Sequence, residues 1–131
     1  MPRANRPLGY TLDSGVLIAI ERRKRGVIEL VRQAALAGAT LHIPYAVVAE
    51  FWRGAVRKEL AAMVDRCAVP ETLERVKRAG LALAAVGTGP STVDAIVAAL
   101  ADELGEIVLT TDAGDFARLS AYFSALRVHH V

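Results

Sequence analysis

The fold is decided by residues 93–112, which read VDAIVAALADELGEIVLTTD. In the first half of this stretch, apolar side chains recur at helical spacing and predict a helix with one apolar face. These side chains are Val93, Ile96, Val97, Leu100 and Leu104. The β-branched run of residues 106–110 then predicts a strand, and Asp112 follows it closely. A helix that leads directly into a strand is one step of an α/β pattern, and the rest of the chain repeats that step.

Short apolar strands and helices alternate along the whole sequence. We predict strands at residues 8–12, 40–43, 68–69, 106–110 and 126–130. Besides the helix above, we predict helices at residues 16–24, 26–37, 44–56, 58–67, 71–85 and 115–120. Strands separated by helices favour a parallel sheet with helices on both faces. The predicted fold class is α/β, a three-layer sandwich with a central parallel sheet of about five short strands flanked by helices.

Length and composition agree with one folded unit. The chain has 131 residues, of which 53% are hydrophobic and 23% charged, so we expect one globular domain over residues 1–131. The only cysteine, Cys67, excludes an internal disulfide. No stretch approaches the roughly 18 apolar residues of a membrane span, and no apolar signal segment follows the charged start. We therefore expect a cytoplasmic protein without a membrane partner.

Charge is distributed unevenly along the chain. Residues 1–58 contain ten Lys and Arg against four Asp and Glu, a balance of +6. Residues 59–131 contain six against ten, a balance of −4. A basic half beside an acidic half fits a phosphate-binding surface next to a carboxylate site, although solvated faces give the same totals.

Acidic residues follow the predicted strands. Asp13 and Asp112 come after the first and fourth strands, and Glu50 lies in the helix after the second. Asp94 lies in the first turn of the helix before the fourth strand, and Asp115 follows Asp112 by one turn. Ligands of parallel sheets bind outside the carboxyl ends of the strands, so these acids can converge at a single site.

Each acid also has a purely structural alternative. Three of them stand where the N-cap of a helix is expected, Asp94 stands at the N3 position of a capping box, and Glu50 has Arg53 three residues further on as a partner. The candidate caps are Asp13 or Ser14, Asp94 in the capping-box pattern Ser91-x-x-Asp94, and Asp112 or Asp115.

Four carboxylates in one pocket repel one another, and a divalent cation would remove that repulsion. Hard oxygen ligands suit Mg²⁺ or Mn²⁺. Zn²⁺ is disfavoured, because Cys67 is alone and His42 is far from the other two histidines. Those two, His129 and His130, are adjacent and would point to opposite faces of a strand.

Four segments together resemble the motifs of PIN-domain ribonucleases. They are YTLDS at residues 10–14, EFWRG at 50–54, VDAIVAA at 93–99 and LTTDAGDF at 109–116. Each is weak alone, but the ordered set, which ends in Thr-x-Asp-x-x-Asp-Phe, is specific and covers nearly the whole chain. Within that superfamily, the length resembles that of the VapC-type toxins of bacterial toxin–antitoxin pairs.

The resemblance implies a role for each matching side chain. The implied core acids are Asp13, Glu50, Asp94 and Asp112, with Asp115 as an additional acid. We expect Asp13, Asp94, Asp112 and Asp115 to bind the metal, and Glu50 to act through a water or as a general base. Thr110 and Ser14 match hydroxyl residues that support the site. Gly15 departs from the pattern, which has a second small polar residue there.

The implied activity is endonucleolytic hydrolysis of RNA that depends on Mg²⁺ or Mn²⁺. The implied partners are the RNA substrate, a cognate antitoxin protein and a second copy of the chain as a homodimer. One alternative is a non-catalytic PIN-like module that binds RNA or protein. Another, a phosphoacceptor receiver domain, is disfavoured because Pro70-Glu71 follows the third strand and no Lys follows the last.

A basic run lies at the C-terminal end of the first predicted helix. It consists of Arg22, Arg23, Lys24 and Arg25. One interpretation is that the run binds RNA phosphates without reading bases. The other is that it complements the dipole of a helix that is capped by Gly26.

Overall fold

The structure is a computed structural model that describes residues 9–131. Five strands and seven helices form in this part of the chain. They are β1 (Gly9–Leu12), α1 (Ser14–Glu21), α2 (Arg25–Leu36), β2 (Thr40–Pro44), α3 (Tyr45–Phe51), α4 (Lys58–Cys67), β3 (Ala68–Val69), α5 (Leu73–Val86), α6 (Thr92–Leu104), β4 (Ile107–Thr110), α7 (Ala113–Leu119) and β5 (Arg127–His130). Leu8, the first residue of the first predicted strand, lies outside the described residues.

The five strands form one parallel sheet in the order β3-β2-β1-β4-β5. From β1 the chain first winds outward through β2 and β3, and it then returns to place β4 on the other side of β1. The strand order therefore reverses between β1 and β4. In open α/β sheets, ligands bind outside the carboxyl ends of the strands at this point.

Helices pack on the sheet in two groups, and this confirms the predicted three-layer α/β fold. Helices α5, α6 and α7 contact one another, and α6 contacts β1, β2 and β4. Helix α1 contacts α2 and α4 as well as β4. Residues Ala95–Ala101 of α6 are all buried, so this helix is the centre of the core. No helix formed by residues 9–131 combines the length and apolar character of a membrane span.

A buried carboxylate ties the three central strands together at their amino ends. Glu106, next to β4, is 7% exposed. It accepts hydrogen bonds from Oγ1 of Thr11 on β1 (2.9 Å) and Oγ1 of Thr40 on β2 (3.1 Å). Its Oε2 also lies 2.7 Å from Nδ1 of His42. These polar contacts satisfy a buried acid at the end of the sheet opposite to the switch point.

One predicted helix is wrong in its extent. The pattern predicted a helix over residues 44–56, but α3 ends at Phe51, and Pro44 is the last residue of β2. Past the helix, Arg57 docks on the end of α1: its backbone N–H and its Nε donate to Oε1 and to the carbonyl of Glu21, at 3.2 and 2.9 Å. Gly54, a poor helix former, lies in the segment that makes this turn.

The remaining predicted elements agree with the structure to within three residues at each described end. Leu104, the last member of the predicted apolar stripe, is nevertheless 44% exposed. It stands at the end of α6, next to Gly105, whose left-handed backbone (φ 67°) ends the helix. The apolar stripe is therefore no longer buried at Leu104, one residue before the C-cap Gly105.

An arginine occupies the position at the end of α1 that usually requires glycine. Arg23 has φ 57°. Its N–H donates to the carbonyl of Ile20 (2.9 Å), and the N–H of Lys24 donates to the carbonyl of Ala19 (2.9 Å). This is the hydrogen-bond pattern of a Schellman motif, in which the left-handed residue is most often glycine. The predicted cap, Gly26, instead lies inside α2.

We expect Arg23→Gly to raise the free energy of unfolding by about 0.5–1 kcal/mol, because it relieves a left-handed backbone at the cost of some chain entropy. Arg22→Gly removes the same charge from the neighbouring residue, where φ is −85°. It is expected to lower stability by a similar amount. Urea denaturation of the two variants measures the difference, and equal midpoints would contradict the strain at Arg23.

A buried arginine joins α5 to α6. Arg75 is 4% exposed, and its Nε and Nη2 donate to the carboxylate of Glu103 at 3.1 and 3.0 Å. Its Nη1 donates to the carbonyl of Pro70 (2.9 Å) and lies 3.8 Å from Oε1 of Glu71. The other oxygen of Glu71 accepts from the backbone N–H of Ala46 (2.8 Å), in the first turn of α3. Arg75 therefore helps to position α3 through Glu71.

We expect Arg75→Met to lower the free energy of unfolding by about 2–3 kcal/mol, because it leaves Glu103 and the Pro70 carbonyl without their buried donor and removes the positive charge beside Glu71. Arg78→Met is the matched control, because Arg78 also pairs with an acid of α6 (Asp102, 2.6 Å) but is partly exposed. Its loss is expected to cost about 1 kcal/mol or less. Thermal or urea denaturation measures the two losses. If both variants lose the same free energy of unfolding, the burial of Arg75 does not strengthen its contribution to stability.

Candidate active site

Asp13 lies at the carboxyl end of β1, directly beside the end of β4. It is the N-cap of α1 and is 6% exposed. Its Oδ2 accepts a hydrogen bond from Oγ1 of Thr110 (2.8 Å), and its Oδ1 accepts one from the N–H of Ser14 (2.8 Å). The parallel pairing of Leu12 with Leu109 brings these groups together. The carboxylate is thus held in one orientation by donors from both sides of the switch point.

Burial is the main cause of a raised pKa at Asp13. The hydrogen bonds from Thr110 and Ser14 lower this pKa, whereas the carboxylates of Glu50 and Asp112 raise it. The net direction is upward, so two donors do not offset the burial and the neighbouring negative charges. The described surroundings of Asp13 therefore do not supply enough positive charge to offset its burial.

Glu50 reaches the site from α3. Oγ of Ser14 donates a hydrogen bond of 2.6 Å to its Oε1, across 36 positions of sequence. Within residues 9–131 Glu50 makes no ion pair with Arg53, so that structural alternative is wrong. Ser14 is thus the link that fixes α3 to α1 at the site.

Asp94 forms the predicted capping box and also lies near other carboxylates. The capping box is present: the N–H of Asp94 donates to Oγ of Ser91 (3.0 Å), and the N–H of Ser91 donates to Oδ2 of Asp94 (2.9 Å). Burial, together with the carboxylates of Asp13 and Asp115, raises the pKa of Asp94 to about 6, although the bonds with Ser91 oppose the rise. One carboxylate group therefore caps α6 and also belongs to the acid cluster.

Asp112 and Asp115 are presented by the turn into α7. The N–H of Asp112 donates to Oγ1 of Thr110 (2.9 Å), which fixes the backbone of the turn. The side chain of Asp112 is exposed and makes no capping bond to α7, so its structural alternative is wrong. Asp115 is half-buried in the first turn of that helix. Within residues 9–131, the carboxylate of Asp112 is thus not used as a helix cap.

Thr111 supplies a hydroxyl that the sequence analysis did not single out. A Cβ built on Gly15 would collide with Oγ1 of Thr111, so the hydroxyl fills the space of the missing side chain. Nε2 of His130 lies 2.9 Å from the carbonyl of Thr111 and holds this residue from the other side. Gly15 is where the resemblance expected a small polar side chain. A polar group does stand there, but it comes from the end of β4.

The structure brings all five predicted acids to the carboxyl edge of the sheet. Two other carboxylates of the group raise the pKa of Asp13, and two raise the pKa of Asp94. Nevertheless, within residues 9–131 no three His, Cys, Asp or Glu side chains stand close enough together to hold a metal ion. The basic run is divided: all four side chains are exposed, but Arg22 and Lys24 line a cleft beside the acids, whereas Arg23 and Arg25 do not.

Comparison with protein families identifies the chain. The sequence model of the PIN domain matches residues 10–122, which is most of the chain. The chain belongs to the PIN domain family. The resemblance of the four motifs is thereby confirmed at the level of the family. No curated protein is significantly similar in sequence.

Solved structures of similar fold are chains of VapBC complexes. A chain of VapBC2 from Rickettsia felis, bound to a DNA fragment from its promoter, has a TM-score of 0.74 at 18% identity and covers 95% of this chain and 99% of its own. VapBC-1 from nontypeable Haemophilus influenzae gives 0.70 at 16% identity, with 94% and 98% covered. DNA-bound VapBC from Salmonella typhimurium gives 0.69 at 18%, with 94% and 98% covered. At these identities, the likeness establishes the fold.

The raised pKa of Asp94 predicts how stability depends on pH. The folded, metal-free protein binds this proton more tightly than the unfolded chain does, so the contribution of Asp94 to the free energy of unfolding falls as pH rises from about 4 to about 6. Asp94→Asn removes this contribution, and we expect the fall to become shallower by up to about 1 kcal/mol per pH unit. Urea denaturation in chelator at several pH values measures both slopes. Identical slopes would contradict the raised pKa.

Proposed function

We propose that this PIN domain is a metal-dependent endoribonuclease that hydrolyses phosphodiester bonds of RNA. The observation that carries the proposal is the convergence of acids from four separate segments at the switch point. Two of these acids, Asp13 and Asp94, have raised pKa values because of burial and mutual repulsion. A cluster that holds so much uncompensated negative charge suits a bound cation.

The donor set fits Mg²⁺ or Mn²⁺, because every predicted ligand offers hard carboxylate oxygens. Asp13, Asp94 and Asp112 would hold the ion, with Asp115 beside them. Because no three of these side chains yet stand at binding distance within residues 9–131, the ion would draw them together. When bound, it supplies an activated water and neutralises charge at the phosphate oxygens.

The remaining residues orient the acids. The hydroxyl of Thr110 donates to one oxygen of Asp13 and so holds that carboxylate in one orientation. Ser14 occupies Oε1 of Glu50, which leaves Oε2 to accept a proton from the attacking water. In this arrangement Glu50 is the general base, and Ser14 is the residue that aims it.

We further propose that the chain is the toxin of a type II toxin–antitoxin pair. The similarity of its fold to chains of three VapBC complexes supports this proposal. Its partners would be a cognate antitoxin protein and a second copy of the chain. Several large apolar side chains are exposed and available to such partners. They include Leu36, Tyr45, Trp52, Leu73 and Leu81.

A second candidate function is a PIN-like module that binds RNA or protein without cutting. The absence of a closely assembled group of three acids within residues 9–131 favours this alternative. The two functions differ in one measurable property, which is cleavage that depends on a metal ion.

We expect the purified chain, freed of any partner, to cleave single-stranded RNA internally with Mg²⁺ or Mn²⁺ and to lose this activity in chelator. The measurement is the rate at which an end-labelled RNA is converted to shorter fragments, before and after the metal is restored. Full activity in chelator would exclude the metal mechanism, and RNA binding without cleavage in any metal would establish the second function.

Variants of single acids test the assignment. Asp13→Asn, Asp94→Asn and Asp112→Asn are each expected to lower the rate by about 100-fold or more. Asp65→Asn is the matched control, because Asp65 is exposed on α4. Circular dichroism verifies that each variant is folded. An acid whose variant keeps the wild-type rate serves only as a cap.

A further inference from the structure

A cleft opens beside the acid cluster, between the α1–α2 turn and the end of β5. Its volume is about 660 Å³, which lies within the usual range of roughly 300–1,000 Å³ for ligand sites. Two of its lining residues, Gly15 and Thr111, are close neighbours in sequence of Asp13 and Asp112. The cleft and the acid cluster therefore share an edge, and a chain bound at the acids can continue into the cleft.

The cleft is basic on one side. Arg22 and Lys24 line it, and none of the side chains that line it within residues 9–131 is acidic. Arg23 lies between them in sequence, and its left-handed backbone reverses the chain at the end of α1. The reversal explains why the residues on either side of Arg23 line the same cleft while Arg23 and Arg25 do not.

Two further lining residues of the cleft contact each other. They are His130 and Thr111, and Nε2 of His130 lies 2.9 Å from the carbonyl oxygen of Thr111. Gly15 has no side chain to extend into the space. The result is a cleft lined by two cations, by these polar groups and by apolar side chains, among them Ile18, Val27 and Val131.

We propose that this cleft binds the backbone of single-stranded RNA next to the bond that is cut, with Arg22 and Lys24 on successive phosphates. The proposal rests on the proposed nuclease function and assigns the path that the substrate takes. A phosphate chain is repelled by the five carboxylates, so it needs neighbouring positive charge to approach them. Among the cations of the basic run, the cleft pair stands at the boundary of the acid site.

Phosphate contacts position a nucleic acid without reading its bases. The cleft pair should therefore contribute equally to substrate binding and to the transition state, which raises affinity but not the rate of the chemical step. Each single-strand phosphate contact adds about 0.7 to the slope of log K against log salt concentration. Two contacts predict a slope difference of about 1.4.

The experiment compares two double variants that lose the same charge. Arg22→Gln with Lys24→Gln removes the cleft pair, and Arg23→Gln with Arg25→Gln removes the other half of the run. Binding of a labelled single-stranded RNA is measured by fluorescence anisotropy in an Asp112→Asn background at several salt concentrations. We expect the cleft variant to bind at least about tenfold more weakly near 0.1 M salt and to lose about 1.4 from its slope. The other variant is expected to change affinity less than about threefold.

Cleavage by the same double variants, with Asp112 restored, separates binding from chemistry. We expect KM to rise in the cleft variant while kcat stays within about threefold of wild type. Equal effects of the two double variants on affinity would overturn the assignment of the cleft, even if the protein cleaves RNA. An equally large effect on binding of duplex DNA of the same length would also overturn it. If the protein binds RNA through the cleft pair but does not cleave it, the assignment of the cleft as an RNA site is supported and the nuclease proposal is wrong.

Discussion

The pairing of β1 with β4 is the constraint on which the site depends. These strands are far apart in sequence, yet Leu12 lies opposite Leu109, so the residues that follow them meet at one edge. The hydrogen bond from Thr110 to Asp13 spans this junction (2.8 Å) and joins 97 positions of sequence. Helices α1 and α7 both begin beside this edge, and α6 packs against both strands. A slip of one residue in this register would turn alternate side chains to the wrong face and separate the acids.

Acids at the two ends of the sheet differ in how fully their charge is compensated by hydrogen-bond partners. At the amino ends, Glu106 has two threonine hydroxyls and a histidine ring as partners, so its charge serves the structure. At the carboxyl ends, acids face one another with fewer donors, and the pKa of Asp94 rises to about 6. When several hydrogen-bond donors occupy the oxygens of a carboxylate, few acceptor positions remain for a ligand. Repulsion between carboxylates is relieved when a cation or a proton binds, and this distinguishes the candidate site from the structural cluster.

Local patterns predicted the helices and strands well because apolar periodicity and cap residues act over short distances. They placed Asp13 and Asp112 at strand ends and identified the capping box of Asp94. Contacts between distant segments were beyond such patterns. After the early end of α3, for example, Arg57 docks against Glu21, 36 positions away. The support that Glu71 gives to α3 and the division of the basic run by Arg23 depend likewise on tertiary contacts and on a backbone conformation unusual for arginine.

The close approach of Gly15 and Thr111 makes these two positions interdependent. Any side chain at position 15 would have to share its space with the threonine hydroxyl. A side chain at position 15 would therefore require that the exposed threonine hydroxyl turn away or that position 111 become smaller, for example glycine or alanine. A change at one of these two positions thus alters which residues the other can accommodate at the edge of the acid cluster.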